Sequence, residues 1–454
     1  MAVAELVRYS KQITNSTSGK VLALALPSVG EQVLSMLVGM VNTYMVGHIG
    51  SSSLAAVGLG DQVVMLVSAF FLAVSTGSTA LVARCVGAGE PEQASRVMRQ
   101  SVFLGALIGL LGTLAVKPLA WQIMVWLGAA EDVIPFGATY LGIASLSYTL
   151  MAVMFIGNGA LRGAGDTRTP LAIMGIINIV NVAIGYVLLH GVGPFPPMGV
   201  RGIAIGATVA RSLGAVLVVA LLVRGRAGLV LRLKGFRIDW DVIRRVANIG
   251  LPTGLEQVFM RLGMVAFATV VASLGTAAYA AHQVSMTSMS VSWMPGFGFG
   301  VAATTLVGQR LGAKDPKGAE EACNTAARLA MIFQGAIGLF MFFFGAQVVS
   351  IFINEPDVIT QGASCVRLLG LTQPASAAAV TIGGGLRGAG DTRWPMIITT
   401  ASIWLIRIPL GRVLALTVGM GLLGVWAAMG FEMIGRALLF RWRFRTGKWK
   451  TVRV

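Results

Sequence analysis

Four carboxylates, Glu31, Asp61, Glu256 and Glu432, stand inside stretches of sequence otherwise apolar enough to cross a bilayer. A charged side chain at membrane depth costs about 3 kcal/mol on insertion scales, so each is read first as a group that handles a cation. Glu31 and Glu256 share a context: each follows a proline, Pro27 or Pro252, and each precedes a glutamine, Gln32 or Gln257. Two such carboxylates facing one cavity make a negatively charged, partly dehydrated site that favours organic cations, sodium or protons. The competing role is a first-turn acid that only stabilises a helix N-terminus.

Asn42 follows Glu31 by eleven positions. On a helix the two point the same way, about 16 Å apart along the axis, and Ser35 between them completes one polar stripe. Asp61 lies in Gly60-Asp61-Gln62, too deep in its apolar run for a surface residue, and with Gln62 it reads as cavity-facing. Glu432 with Arg211, Arg407, Arg412 and Arg436 reads as pairing within the bundle or snorkelling to an interface. Arg261 points away from Glu256 on its helix and pairs with another helix, and His282 is structural. Met260, Met264, Met286, Met289 and Met294 crowd one region. Their thioethers suit a pocket for varied apolar ligands, and equally well ordinary packing.

The elements that hold these groups come in two copies. Leu161-Arg162-Gly163-Ala164-Gly165-Asp166-Thr167-Arg168 recurs as Leu386-Arg387-Gly388-Ala389-Gly390-Asp391-Thr392-Arg393, and residues 26–91 align without a gap on 251–316 with sixteen of 66 positions identical. Both alignments carry the same offset of 225. That is the signature of two homologous halves rather than of a motif that recurred by chance. Glu256 is therefore the counterpart of Glu31, whereas Met286 stands opposite Asp61.

The repeated motif reads as a helix-to-helix turn. Arg162 sits on the negative end of one span, Gly163 and Gly165 supply the backbone freedom to reverse direction, and Asp166 caps the next span, with Pro170 in its first turn. Gly388, Gly390, Asp391 and the closing Arg393 repeat this, Arg393 matching Arg168.

A mean hydropathy of +0.79 with only 12% charged residues lies far from soluble domains, which carry roughly 25% charge. Twelve apolar runs reach membrane length, six per half, with a further short apolar piece after Pro118 read as an interfacial helix. The chain divides into a first lobe at 1–225, a cytoplasmic linker at 226–245, and a second lobe at 246–454 ending in a basic cytoplasmic tail. Six is even, so both halves enter the membrane in the same orientation and form a parallel repeat.

The net charge of +17 falls in alternate loops, among them Arg8, Lys11 and Lys20 before the first span and Arg441 to Arg453 at the end. That pattern is the positive-inside rule, not a nucleic-acid surface, and it puts both termini in the cytoplasm. Cys85, Cys323 and Cys365 are too few and too scattered for a disulfide framework or metal site. No cleavable signal precedes the first span, and the sequon Asn15-Ser16-Thr17 has no meaning on the cytoplasmic side.

In this organisation the chain resembles the multidrug and toxic compound extrusion (MATE) family of cation-coupled efflux transporters. The paired Gly-Ala-Gly-Asp-Thr-Arg turns, Met45-Val46-Gly47-His48-Ile49-Gly50 and Ala280-Ala281-His282-Gln283 carry the likeness over nearly the whole length. The resemblance implies an all-α polytopic membrane protein, twelve transmembrane helices in two pseudo-twofold-related six-helix lobes around a central cleft. It implies a secondary exporter of amphipathic, often cationic, compounds in antiport with Na+ or H+, set in the cytoplasmic membrane. No cofactor is expected beyond the coupling ion. The partners expected are small organic substrates, the coupling cation and membrane lipids, with no nucleic acid, and the protein is expected to be a monomer.

In the family an aspartate commonly occupies the position of Asn42, and an acid in span seven matches Glu256. A neutral amide cannot take up and release a proton, so proton coupling would need another carboxylate, Glu31 or Glu256. Sodium would sit near Glu256 and Asp61. Two rival functions are a lipid-linked saccharide flippase of the same superfamily, which needs a basic cleft, and an intramembrane enzyme. Against the enzyme, the chain has no Asp-rich metal motif, no His-Glu-x-x-His, no Gly-x-Ser-x-Gly and no Walker loop.

Overall fold

In hydrocarbon each backbone N–H and C=O has to find its partner inside its own segment, so long apolar runs become helices. The computed structural model describes residues 16–232 and 234–452, and among these there are no strands. Arg8, Lys11, Asn15 of the sequon and Arg453 lie outside the described residues.

The first half contributes α1 (Thr17–Gly47), α2 (Ser51–Gly87), α3 (Pro91–Val116), the short α4 (Ala120–Trp126), α5 (Ile134–Ser145), α6 (Tyr148–Gly163), α7 (Arg168–His190) and α8 (Val200–Val223). The second contributes α9 (Trp240–Ala272), α10 (Thr276–Gly312), α11 (Pro316–Ser350), α12 (Pro356–Gly388), α13 (Arg393–Thr417) and α14 (Gly421–Arg445). Ten of these are long and apolar enough to cross a membrane, and α5 with α6, bent by 54° at their junction, makes an eleventh.

The sequence count of twelve is met in helices but not in apolarity. The remaining run, α10, is 37 residues long, yet it is rich in Ser, Thr and Gly, carries His282, and falls short of a membrane span's hydropathy. Its inward face is buried polar groups such as Ser285, Ser288 and Ser292. Protein, rather than lipid, solvates that side.

Contacts gather the chain into two units, one of residues 30–254 and one of 1–29 with 255–454. In the first unit α2, α3, α5 and α6 pack together and α7 lies on α8, over a core that includes Phe71, Met124, Leu141 and Tyr148. In the second, α10, α11 and α12 pack mutually and α14 lies on α12.

The unit boundary falls inside α1 and inside α9, at positions 225 apart. Val21, Leu24 and Ala25 of α1 cluster with Phe299, Ala302 and Ala303 of α10. Gly298 lets α10 come so near that a Cβ there would sit 2.9 Å from the Ala25 carbonyl oxygen. In the other unit the counterpart contact brings Gly250 of α9 against Ala73 of α2, with 2.3 Å from the same virtual atom to the carbonyl oxygen.

Buried charges are partnered, as their cost demands. Glu432, fully buried on α14, lies between Arg407, 2.5 Å away on α13, and Arg436, 3.3 Å away one turn along. Arg407 closes a π-helical stretch, Ser402–Arg407, and a second such stretch spans Val413–Thr417. Arg412 is exposed. His282 accepts a hydrogen bond at 3.2 Å from the Trp426 indole N–H, which ties α10 to α14 and fits a structural role. Cys85, Cys323 and Cys365 are all free and buried. The basic tail is docked in part: Trp449 is buried against Phe444 at 4.7 Å, and Lys450 pairs with Glu320.

Candidate functional site

Glu256 lies on α9 one turn beyond Pro252, which is accommodated within the helix. The residue is 3% exposed and its carboxylate is met from two other helices. Arg387, in the last turn of α12, donates from Nη2 to Oε1 at 2.7 Å and to Oε2 at 2.8 Å. Thr399 on α13 donates its hydroxyl to Oε1 at 2.9 Å.

The first-half unit holds the same pair. Arg162, ending α6, donates from Nη1 to Glu31 Oε1 at 2.9 Å and to Oε2 at 3.2 Å. Acid and arginine are 131 positions apart in both halves. The pairs are not equal, because Met174 stands where the second half has Thr399. Glu31 therefore lacks the hydroxyl that Glu256 receives.

Neither glutamate is a bare first-turn acid, and neither is a bare cavity carboxylate. Each is neutralised by the arginine of the duplicated motif, which the sequence reading assigned only to the negative end of a helix. The signal that could have revealed this was available: acid and arginine recur together at one offset.

The motif glycines divide their labour. Gly165 and Gly390 have positive φ, 93° and 84°, and make the turn. Gly163 and Gly388, expected to do the same, are helical and serve close approach instead. A Cβ at Gly163 would lie 2.6 Å from the Thr79 carbonyl oxygen, and at Gly388 2.1 Å from that of Thr304. The reason lies in the neighbours: Thr79 and Thr304 donate their hydroxyls to the Gly159 and Gly384 carbonyls, at 2.8 and 2.9 Å, which draws the helices together one turn earlier.

Asp166 accepts from the Thr169 amide at 2.9 Å, capping α7, and from Arg226 at 2.9 Å. Asp391 is held by Arg443 at 2.8 Å. Arg168 and Arg393 are exposed. Burial works to raise the Asp166 pKa, but the Thr169 hydroxyl and amide and the Arg226 guanidinium outweigh it and hold the carboxyl below its ordinary value. At Asp391 burial wins over Arg443, and the pKa is raised.

The sign for Asp166 follows from linkage: a depressed carboxyl contributes stability above its unfolded pKa, near 3.8, and loses it as pH falls below that. Asp166→Asn is expected to lower the thermal midpoint at neutral pH, with a difference from wild type that shrinks under acid. A difference that is constant with pH would show that the charge is not what matters.

Asp61, on α2, is exposed and accepts from the Tyr140 hydroxyl at 2.7 Å. Gly60 makes room for that ring, since a Cβ would meet Tyr140 Cδ1 at 2.5 Å. Sequence reasoning found Asp61 but not its aromatic partner. Gln62 is exposed beside it, Asn42 on α1 is half-buried, and Gln257 is half-buried beside Glu256. Among the described residues no group of three or more His, Cys, Asp or Glu could hold a metal ion. Oxygens on offer to a cation at Glu256 include its own two and that of Thr399.

A profile of the MatE family matches residues 27–187 and again 252–413, so the duplication seen in the sequence is two copies of one family unit. A probable multidrug resistance protein NorM of Thermotoga maritima is 34% identical over 435 residues, covering 95% of this chain and 93% of that protein. An uncharacterized transporter YisQ of Bacillus subtilis is 24% identical over 428 residues, with 94% of each covered. A multidrug resistance MATE family transporter of the MOP superfamily, solved facing outward, superposes with a TM-score of 0.90 at 21% identity, covering 97% of this chain and 98% of that one. A MOP superfamily transporter from Pyrococcus furiosus also gives 0.90 at 21% identity, covering 98% and 99%.

Proposed function

The chain belongs to the MatE family, the multidrug and toxic compound extrusion transporters, and from that premise we propose that it exports amphipathic organic compounds, cationic ones foremost, in antiport with Na+ or H+. It is a multi-pass membrane protein. The alternating basic loops support a cytoplasmic membrane with both termini on the cytoplasmic side, and the chain acts as a monomer.

The observation that carries the coupling is the Glu256, Arg387 and Thr399 cluster. Arg387 is a cation tethered to the coupling carboxylate. A proton on Glu256 removes the negative charge that holds it, and a sodium ion on the same oxygens displaces it. Either event frees a guanidinium and changes the charge that an organic cation meets. Ion and substrate thus bias opposite states, which is all that antiport requires. Asp61, with Tyr140 donating to it, is the further carboxylate for cationic cargo. Asn42, unable to protonate, contributes polarity only.

The test is efflux of a fluorescent organic cation from vesicles holding the reconstituted protein, driven in separate runs by a sodium gradient and by a pH gradient. One of the two is expected to drive export. No response to either, together with binding of lipid pyrophosphates, would replace this reading with the flippase.

A further inference from the structure

In the second unit two polar side chains meet where α11 and α12 pack, and Ser292 of α10 lies one turn before the glycine that covers them. Ser292 on α10 and Gln373 on α12 have no exposed surface, and Gln334 on α11 is 1% exposed. Gln334 Nε2 donates to Gln373 Oε1 at 2.8 Å. That single bond leaves Gln334 Oε1, Gln373 Nε2 and Ser292 Oγ with no partner among the described residues.

Glycines bring the three helices onto this spot. Gly296, one turn beyond Ser292, lies over Gln334, and a Cβ there would be 2.7 Å from its Oε1. Gly338, one turn beyond Gln334, lies over α12, and a Cβ there would be 2.2 Å from the Gly370 carbonyl oxygen. Pro374 has no N–H to return to that carbonyl, and Pro295 has none for Val291. A buried polar atom left without a partner forfeits the hydrogen bond that water gave it in the unfolded chain. Several at one point in a membrane helix bundle call for a ligand.

The first unit closes the equivalent place with side chains. Gly109 and Tyr148 stand where Gln334 and Gln373 do, Val67 replaces Ser292, and Thr113 replaces Gly338. Thr113 donates to the Ser145 carbonyl, counterpart of Gly370, at 2.6 Å. The Tyr148 ring fills the centre, packed within 3.4 Å of where a Gly112 Cβ would be. Its hydroxyl is the one polar atom of that set left over.

We propose that the α10–α11–α12 junction is a binding site for one water molecule, a hydrated joint between two proline-bearing helices. The chemistry selects water over a cation. The amide pair leaves one acceptor and one donor free, and flipping both amides leaves one of each again. A cation would be repelled by the free N–H₂, whereas a water accepts from it and donates to Gln334 Oε1 and Ser292 Oγ. That is the three-bond environment typical of buried water. Ordered water is one of the means by which membrane helices carry proline.

The experiment is radiolytic hydroxyl labelling of the protein in vesicles made up in ¹⁸O water, read at Trp293, adjacent in sequence to Ser292, whose indole N–H is buried with no partner among the described residues. Wild type is expected to incorporate label at Trp293, and Gln334→Leu/Gln373→Leu, which fills the site with apolar side chains, to lose it to background. Should the double variant not fold, Ser292→Ala serves, with reduced label expected. No label at Trp293 in wild type would overturn the proposal. So would a sodium-dependent rise in thermal midpoint that the double variant abolishes, since it would make this a cation site.

Discussion

Glu256→Gln is expected to abolish ion-driven efflux while the protein still inserts and accumulates as wild type does. Glutamine keeps the shape and can still accept from Thr399 and Arg387, so packing among α9, α12 and α13 is preserved. It loses the charge that a proton or sodium ion has to meet. The Arg387 guanidinium is then without a counter-ion, which mimics the ion-loaded state permanently. A transporter held in one loading state does not cycle, so the expected loss is the whole gradient-driven component rather than a fraction of it.

Glu31→Gln, at the twin site without the threonine, is expected to slow transport rather than stop it. Glu256→Gln/Arg387→Gln separates the two roles of the pair: it should recover any stability lost by stranding the arginine and still fail to couple. Gradient-driven transport at wild-type rates by Glu256→Gln would remove this carboxylate from the mechanism.

Gly388→Ala is expected to empty the membrane of folded protein. The added Cβ would lie 2.1 Å from the Thr304 carbonyl oxygen and 2.7 Å from its Cα, and backbone cannot swing aside as a side-chain tip can. Overpacking ordinarily costs about 1–3 kcal/mol. Here the α10–α12 contact must part, and with it the Thr304 bond to Gly384 and the approach of Arg387 to Glu256. Gly435→Ala, with nothing within 4 Å of the new atom, is the control and should behave as wild type. The measurement is the monodisperse fraction in detergent and its thermal midpoint, and parity between the two variants would mean that the helices are not this close.

Much of this architecture is written in local pattern. Helix positions follow from apolar runs, the halves from a constant offset, and the turn from Gly165 and Asp166, because each needs only neighbours along the chain. What escaped depends on contacts across the fold. Arg162 and Arg387 looked like helix-end charges until folding brought each to an acid 131 residues away. Gly163 looked like a turn residue because sequence does not display the carbonyl of Thr79 behind it. Gln334 and Gln373 are neutral, 39 residues apart, and sit in apolar runs that no period marks as polar. Pro409 marks an interruption in α13, but nothing in the sequence shows that the stretches on either side of it would be π-helical.

The division of α1 between the two units has a consequence for the order in which the protein can be made. Its opening turns, with Val21, Leu24 and Ala25, leave the ribosome long before the residues they pack on, Phe299 to Ala303, which lie well into the second half. That segment must therefore wait in the bilayer, without these partners, while the spans between α1 and α10 are synthesised. A ribosome stalled anywhere before α10 leaves that surface open to lipid or to a chaperone, and truncation after the sixth span yields two incomplete units rather than one finished half.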